Sequence, residues 1–191
     1  MSAKIDEVLK FISIVDYSSL FWGFSIQNFL IVLDDFQFIR DGDLGWQKEK
    51  FEQLSNSVYD LDGANYAVWD MRSNDVHWDE VDIACGVIHE MFHCYQFDTG
   101  FYDVLKEAER NGEVNGFRFL INLEGVALYV EQLAKMQLSH KRWSTLRAEY
   151  MTFAVKHPEY VPYFLGAEFA HLMTEKDIDW QKKYLFEGAF L

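Results

Sequence analysis

Val81-Asp82-Ile83-Ala84-Cys85-Gly86-Val87-Ile88-His89-Glu90-Met91-Phe92-His93-Cys94-Tyr95-Gln96-Phe97 is the stretch on which the reading of this chain turns. It is an apolar run of helical length, with Asp79 just ahead of it as an N-cap and Asp98-Thr99-Gly100 to end it. Within it, His89 and His93 stand four apart, which on a helix is roughly 40° of rotation and one turn of rise. Both imidazoles therefore leave the same face. Zinc accepts neutral imidazole nitrogen at about 2.0–2.1 Å, so the pair is half of a metal site. Glu90 follows the first histidine, where a carboxylate reaches a water on the metal and takes its proton. His89-Glu90-Met91-Phe92-His93 thus carries the residues of zinc-dependent hydrolysis.

Around that stretch the pattern predicts α+β organisation, with a small N-terminal mixed sheet and a mainly helical C-terminal part. Ile5, Val8, Leu9 and Ile12 mark one face of a helix over residues 3–15. Phe29-Leu30-Ile31-Val32-Leu33 reads as a buried strand, Lys48 to Leu54 as a short helix, and Tyr66 to Met71 as a second strand. Arg72-Ser73-Asn74-Asp75 reads as a turn, with Val76-His77-Trp78 returning as the other arm of a hairpin. Beyond Phe97 a helix of about ten residues stops at Asn111-Gly112. Another runs from Val114 to about Met136, and Ser139 opens one that continues to about Val155. Pro158 breaks the chain, and Pro162 fits the first turn of a helix reaching about Met173. Asp177 and Gly188 bracket a last one.

Length and composition set the outer limits. The 191 residues contain two prolines and no low-complexity linker, and 17% are aromatic, so residues 1–191 are expected to form one domain around a substantial core. Seventeen basic residues against thirty-one acidic give a formal charge of −14, which argues against nucleic acid and anionic lipid as partners. Cys85 and Cys94 fall on opposite sides of one helix and cannot pair, which points to a reducing compartment. The N-terminus has no basic region followed by an apolar core, and no stretch is long enough to span a membrane. A cytoplasmic protein is expected.

A catalytic zinc takes three protein ligands and leaves one position open. Leu123-Glu124-Gly125-Val126-Ala127-Leu128-Tyr129-Val130-Glu131 supplies the best candidate for the third, because Glu124 is a carboxylate in an apolar helix, costly to bury unless something coordinates it. Gly125 disfavours a helix, so close packing is expected there, against the helix of the two histidines. The segment resembles the Asn-Glu-Gly-Phe-Ala-x-Tyr block of gluzincin metallopeptidases, in particular the aminopeptidase N-like family. The resemblance implies a zincin-like fold and assigns Glu124 as the third zinc ligand. Val161-Pro162-Tyr163-Phe164-Leu165-Gly166-Ala167 is similar to that family's Val-Pro-Tyr-x-Lys-Gly block. Its tyrosine stabilises the tetrahedral intermediate, a role that would fall to Tyr163.

The three blocks stand in family order but cover only residues 89–167. Thirty residues separate His93 from Glu124, more than in the family, which makes Glu113 the rival ligand, in a setting that reads as a helix start. Leu165 replaces the family's lysine. The Gly-x-Met-Glu-Asn element that grips a free amino terminus has no counterpart, since Gly63-Ala64-Asn65-Tyr66 stands in its place.

The remaining candidates read as structure. Cys85 belongs to the core, His77 to solvent, and His140, His157 and His171 match no ligand spacing. Phe21, Trp22 and Phe24 read as core packing. Glu131, two turns past Glu124, is open between orienting a histidine and facing solvent. The expected function is peptide-bond hydrolysis with one zinc on His89, His93 and Glu124, Glu90 as general base and Tyr163 as oxyanion donor. Substrate would pair with the edge of strand Tyr66–Met71. The alternatives are a zinc-binding scaffold for a protein partner and a hydrolase of non-peptide amides or esters.

Overall fold

The computed structural model describes residues 3–72, 78–177, 179–188 and 190. Helix α1 (Ala3–Ile14) is followed by strands β1 (Phe29–Val32), β2 (Gln37–Arg40), β3 (Asp43–Trp46), β4 (Ser57–Leu61) and β5 (Ala64–Asp70). Then come α2 (Glu80–Asp98), α3 (Phe101–Arg110), α4 (Gly116–Leu120), α5 (Val126–Ser139), α6 (Trp143–Lys156), α7 (Val161–Lys176) and α8 (Trp180–Glu187). The α+β class read from the sequence holds, with the sheet first and the helices after it.

The sheet is mixed, in the order β3-β2-β1-β5-β4, with β1 parallel to β5 and antiparallel to β2. All four residues of β1 are buried because both faces of the sheet are covered. Ile31 joins the main core, whereas Leu30 and Val32 pack with Tyr66 and Val68 in a second cluster. The hairpins β2–β3 and β4–β5 close through Asp41-Gly42 and Asp62-Gly63. All four turn residues have positive φ, the condition for a two-residue turn whose twist matches its strands.

Lys48 to Leu54 is not the helix expected from its pattern. Its backbone is irregular because other groups take its hydrogen bonds. Arg72 donates to the carbonyls of Phe51 and Glu52, while the amides of Phe51 and Leu54 donate to the Asp35 carbonyl and the Asp70 carboxylate. Phe51 and Leu54 then cover the second cluster. The turn over residues 72–75 and its return arm fall largely on residues 73–77, which lie outside the described residues, as does His77. Trp78 belongs to no strand.

Helix α2 follows the expectation closely. The Asp79 side chain accepts from the Asp82 amide and caps it, and Glu80 and Asp82 favour its positive N-terminal end. The helix is apolar on most sides because α1, α5 and β5 all pack against it. Gly86 makes the approach of β5 possible, since a Cβ there would sit 2.3 Å from the Trp69 ring. Cys85 and Cys94 are buried and unpaired on this helix, and burial pushes the Cys94 thiol up to about 12.

Residues 116–139 form one helical rod, α4 and α5 joined by a π-helical turn at Ile121–Gly125. Ser139 ends α5 instead of opening the next helix. Its hydroxyl donates to the Lys135 carbonyl, and His140 at φ 57° turns the chain, so α6 starts at Trp143. Pro162 lies in the first turn of α7 as expected. One core cluster runs from Ile5 to Leu185. Among the described residues no helix is long and apolar enough to cross a membrane.

Candidate metal centre

The fold carries His89 and His93 on α2 to the π-helical turn that bears Glu124. The two Nε2 atoms lie 3.1 Å apart, and Glu124 Oε2 lies 3.2 Å from His93 Nε2 and 3.4 Å from His89 Nε2. A tetrahedral ion with bonds of about 2.0–2.1 Å holds its ligand atoms about 3.3 Å from one another. The triangle has the size that zinc requires.

The protons on the imidazoles agree with the distances. His89 Nδ1 faces Glu131 Oε2 at 3.0 Å, an acceptor, and therefore carries the proton. His93 Nδ1 lies 2.8 Å from Gln96 Oε1, whose amide nitrogen donates to the Leu123 carbonyl. With both Nδ1 atoms protonated, neutral imidazoles aim two Nε2 lone pairs and a carboxylate at one point, which only a cation or a proton relieves. Burial depresses the His89 pKa, but hydrogen bonds to Glu124 and Glu131 outweigh it and hold the imidazole well above its usual range. Burial acts upward on Glu124, and the two imidazoles overcome it, holding the carboxyl far below the usual carboxylate range. A metal ion entering here displaces a proton, as metal binding to histidine does generally.

Glu124 sits where it does because the π-helical turn is crossed by α7 at van der Waals limit. A Cβ on Gly125 would lie 2.4 Å from Gly166 Cα, and one on Gly166 would lie 2.2 Å from the Ile121 carbonyl oxygen. The close packing expected at Gly125 is present, but its partner is α7, not the histidine helix. The same crossing brings Tyr163, three residues before Gly166, to the site.

His89, Glu90, His93, Glu124 and Tyr163 share a cavity of about 710 Å³. Burial raises the Glu90 pKa and the two imidazoles partly offset it. The Tyr163 hydroxyl is pushed up by burial, then by Glu124, Tyr160 and Glu90, so it stays a protonated donor. Tyr160 packs against Tyr163 with ring centroids 5.3 Å apart, and Tyr150 of α6 lines the cavity beside them.

Other candidates fall elsewhere. Glu113 is exposed in the turn after α3. His140 and His157 are exposed, and His171 stacks on Trp143. Phe21 and Phe24 are core, but Trp22 is 42% exposed, with Phe186 edge-on and Lys182 over its ring, because it sits on a surface turn. Strand Tyr66–Met71 is not an edge: β5 lies between β1 and β4, so its hydrogen-bonding groups are taken, and the edge on this side of the sheet belongs to β4, with β3 at the other end. The sequence reading missed Gln96, which is fully buried. Its signal was available, a polar residue inside an apolar helix one turn after His93. Tyr150 and Tyr160 had no local signal.

No protein-family model, curated protein or solved structure matches the chain.

Proposed function

We propose that the protein is a zinc-dependent metallopeptidase of gluzincin type on a zincin-like fold, hydrolysing peptide bonds in the cavity beside α2. The observation that carries this reading is the convergence of His89 Nε2, His93 Nε2 and Glu124 Oε2 at 3.1–3.4 Å, with both imidazoles oriented from behind. Bound there, zinc would supply Lewis acidity that lowers the pKa of water toward neutrality and polarises a carbonyl. Glu131 and Gln96 hold the imidazoles by their Nδ1–H groups. Glu90 accepts the proton of the attacking water and hands it to the amine nitrogen as the C–N bond breaks. Tyr163 donates its hydroxyl proton to the carbonyl oxygen as negative charge develops there.

An extended peptide would reach the site along the free edge of β4, whose first residue, Ser57, borders the cavity with Asn56. The two unpaired thiols fit a reducing, cytoplasmic setting.

Elemental mass spectrometry on untagged protein, followed by a peptide-library digest, tests the proposal. The expected result is about one zinc per chain, lost in Glu124→Gln and retained in Glu113→Gln. Glu90→Gln should keep the metal and lose about 10²–10⁴-fold in turnover. Wild-type protein without zinc after reconstitution would sink the reading. Stoichiometric zinc with no cleavage of peptides would replace it by a zinc-bearing scaffold or by a hydrolase of other amides and esters.

A further inference from the structure

The C-terminal helix α8 touches neither the cavity nor a ligand atom, yet it is tied to the metal centre by a buried chain of hydrogen bonds. Tyr184, fully buried on α8, donates its hydroxyl proton to the carbonyl oxygen of Asn122. Asn122 belongs to the π-helical turn, two residues before Glu124. The same hydroxyl oxygen accepts from Gln96 Nε2 at 3.2 Å, and Gln96 Oε1 faces His93 Nδ1 at 2.8 Å. The direction of every bond follows from one end. The Asn122 carbonyl can only accept, so the phenolic proton points to it and the phenolic oxygen is left to accept from the Gln96 amide. The Gln96 oxygen must then face His93, whose proton is held on Nδ1 and whose Nε2 is left free toward His89 and Glu124.

We infer that Tyr184 is a positioning residue for the metal centre, fixing the tautomer of His93 and the backbone of the Glu124 turn through one hydroxyl. The inference rests on the metal site proposed above. Packing holds the hydroxyl in place independently of the site: the Tyr184 ring lies against Phe101 at 4.3 Å, Trp180 at 5.2 Å and Phe21 at 6.0 Å. A phenylalanine at this position keeps those contacts and deletes only the bonds to Gln96 and Asn122. The Leu123 carbonyl still accepts from Gln96 Nε2 at 3.3 Å, so the amide stays partly oriented and the effect is a weakening, not a loss.

The test is zinc affinity by chelator competition on the full chain, comparing wild type, Tyr184→Phe and Tyr129→Phe. Tyr129 is a buried tyrosine on α5 whose hydroxyl lies near Thr174 of α7 and does not line the cavity, so its variant reports the general cost of deleting a buried hydroxyl. Tyr184→Phe should bind zinc about 10- to 100-fold more weakly, the usual effect of removing a group that orients a ligand, while Tyr129→Phe binds as wild type. The visible bands of the cobalt-substituted protein should shift in Tyr184→Phe alone. Unchanged zinc affinity in Tyr184→Phe overturns the inference and leaves the metal site standing. An equal loss in both variants also overturns it, since the effect would then be one of stability. Wild-type protein that binds no zinc overturns the site and the inference together.

Discussion

Two residues with no functional atoms decide where the Glu124 carboxylate sits. At the crossing of Gly125 and Gly166 the backbones of the π-helical turn and α7 touch, so a methyl group at either meets main chain that cannot rotate away. Alanine at 125 would gain about 1 kcal/mol of helix propensity, but the overlap costs more. We expect Gly125→Ala to destabilise the protein by about 2–3 kcal/mol net and to lower zinc occupancy, measured by urea unfolding and elemental analysis on the same sample. A variant as stable as wild type would mean that the crossing is looser than its geometry. His89, His93, Glu90 and Glu124 were legible because each breaks a local rule, a polar group in an apolar helix. Gln96 breaks the same rule and was open to the same argument. Tyr184 breaks none: aromatic residues are ordinary in a core, and only the tertiary fold brings it to Asn122.

Strands and helices differ in how much of themselves they write into the sequence. Helix α2 carries its cap, its apolar run and its stop in consecutive residues. The strands β2, β3 and β4 are short, partly exposed and weakly alternating, so their residues carry little pattern. Their turns carried more: Asp41-Gly42 and Asp62-Gly63 are the dipeptides that positive φ at two successive positions demands. Reading those turns first exposes the β2–β3 and β4–β5 hairpins and moves the sheet edge from β5 to β4. In a two-residue hairpin the closing pair Leu61↔Ala64 is hydrogen-bonded, and the bonding alternates from there, which turns the Val58 amide toward the free edge. Val58→Pro therefore removes an edge donor without breaking a ladder bond. Peptide turnover should fall with zinc content unchanged; turnover at the wild-type level would take β4 out of substrate binding.

At the scale of the molecule, the sheet is joined to the irregular segment that covers its second cluster by a buried charge as well as by apolar contacts. The Asp70 side chain is inaccessible to solvent, accepts from Leu54 and Arg72, and through Arg72 holds the irregular cover over the second cluster. Burial acts to raise the Asp70 pKa, but the bonds to Arg72 overcome it and the carboxyl lies below its usual value. A carboxyl with a depressed folded-state pKa stabilises the fold fully above its unfolded value of about 3.9, and that contribution disappears as pH falls through the folded value. Asp70→Asn should cost about 3 kcal/mol at pH 7, because it leaves Arg72 without its closest partner. It should also flatten the decline in stability below about pH 4. Urea midpoints across pH 3–7 measure both, and parallel curves for the two proteins would dismiss the pair. The sequence offered Asp70 and Arg72 only as strand end and turn; their partners at Phe51, Glu52 and Leu54 come from a segment whose own pattern suggested a helix.

The bond from Tyr184 to Asn122 also has a consequence in time. His89, His93 and Glu124 leave the ribosome well before α8 does, and at about 5–20 residues per second the gap between His89 and Tyr184 is roughly 5–20 s. During that interval the nascent chain has Gln96 and Glu131 for the two histidines but lacks the Tyr184 hydroxyl that bonds Gln96 and the Asn122 carbonyl. For the proposed metal centre, the last bonds that orient His93 and the Glu124 turn are therefore made late in biogenesis, when α8 docks.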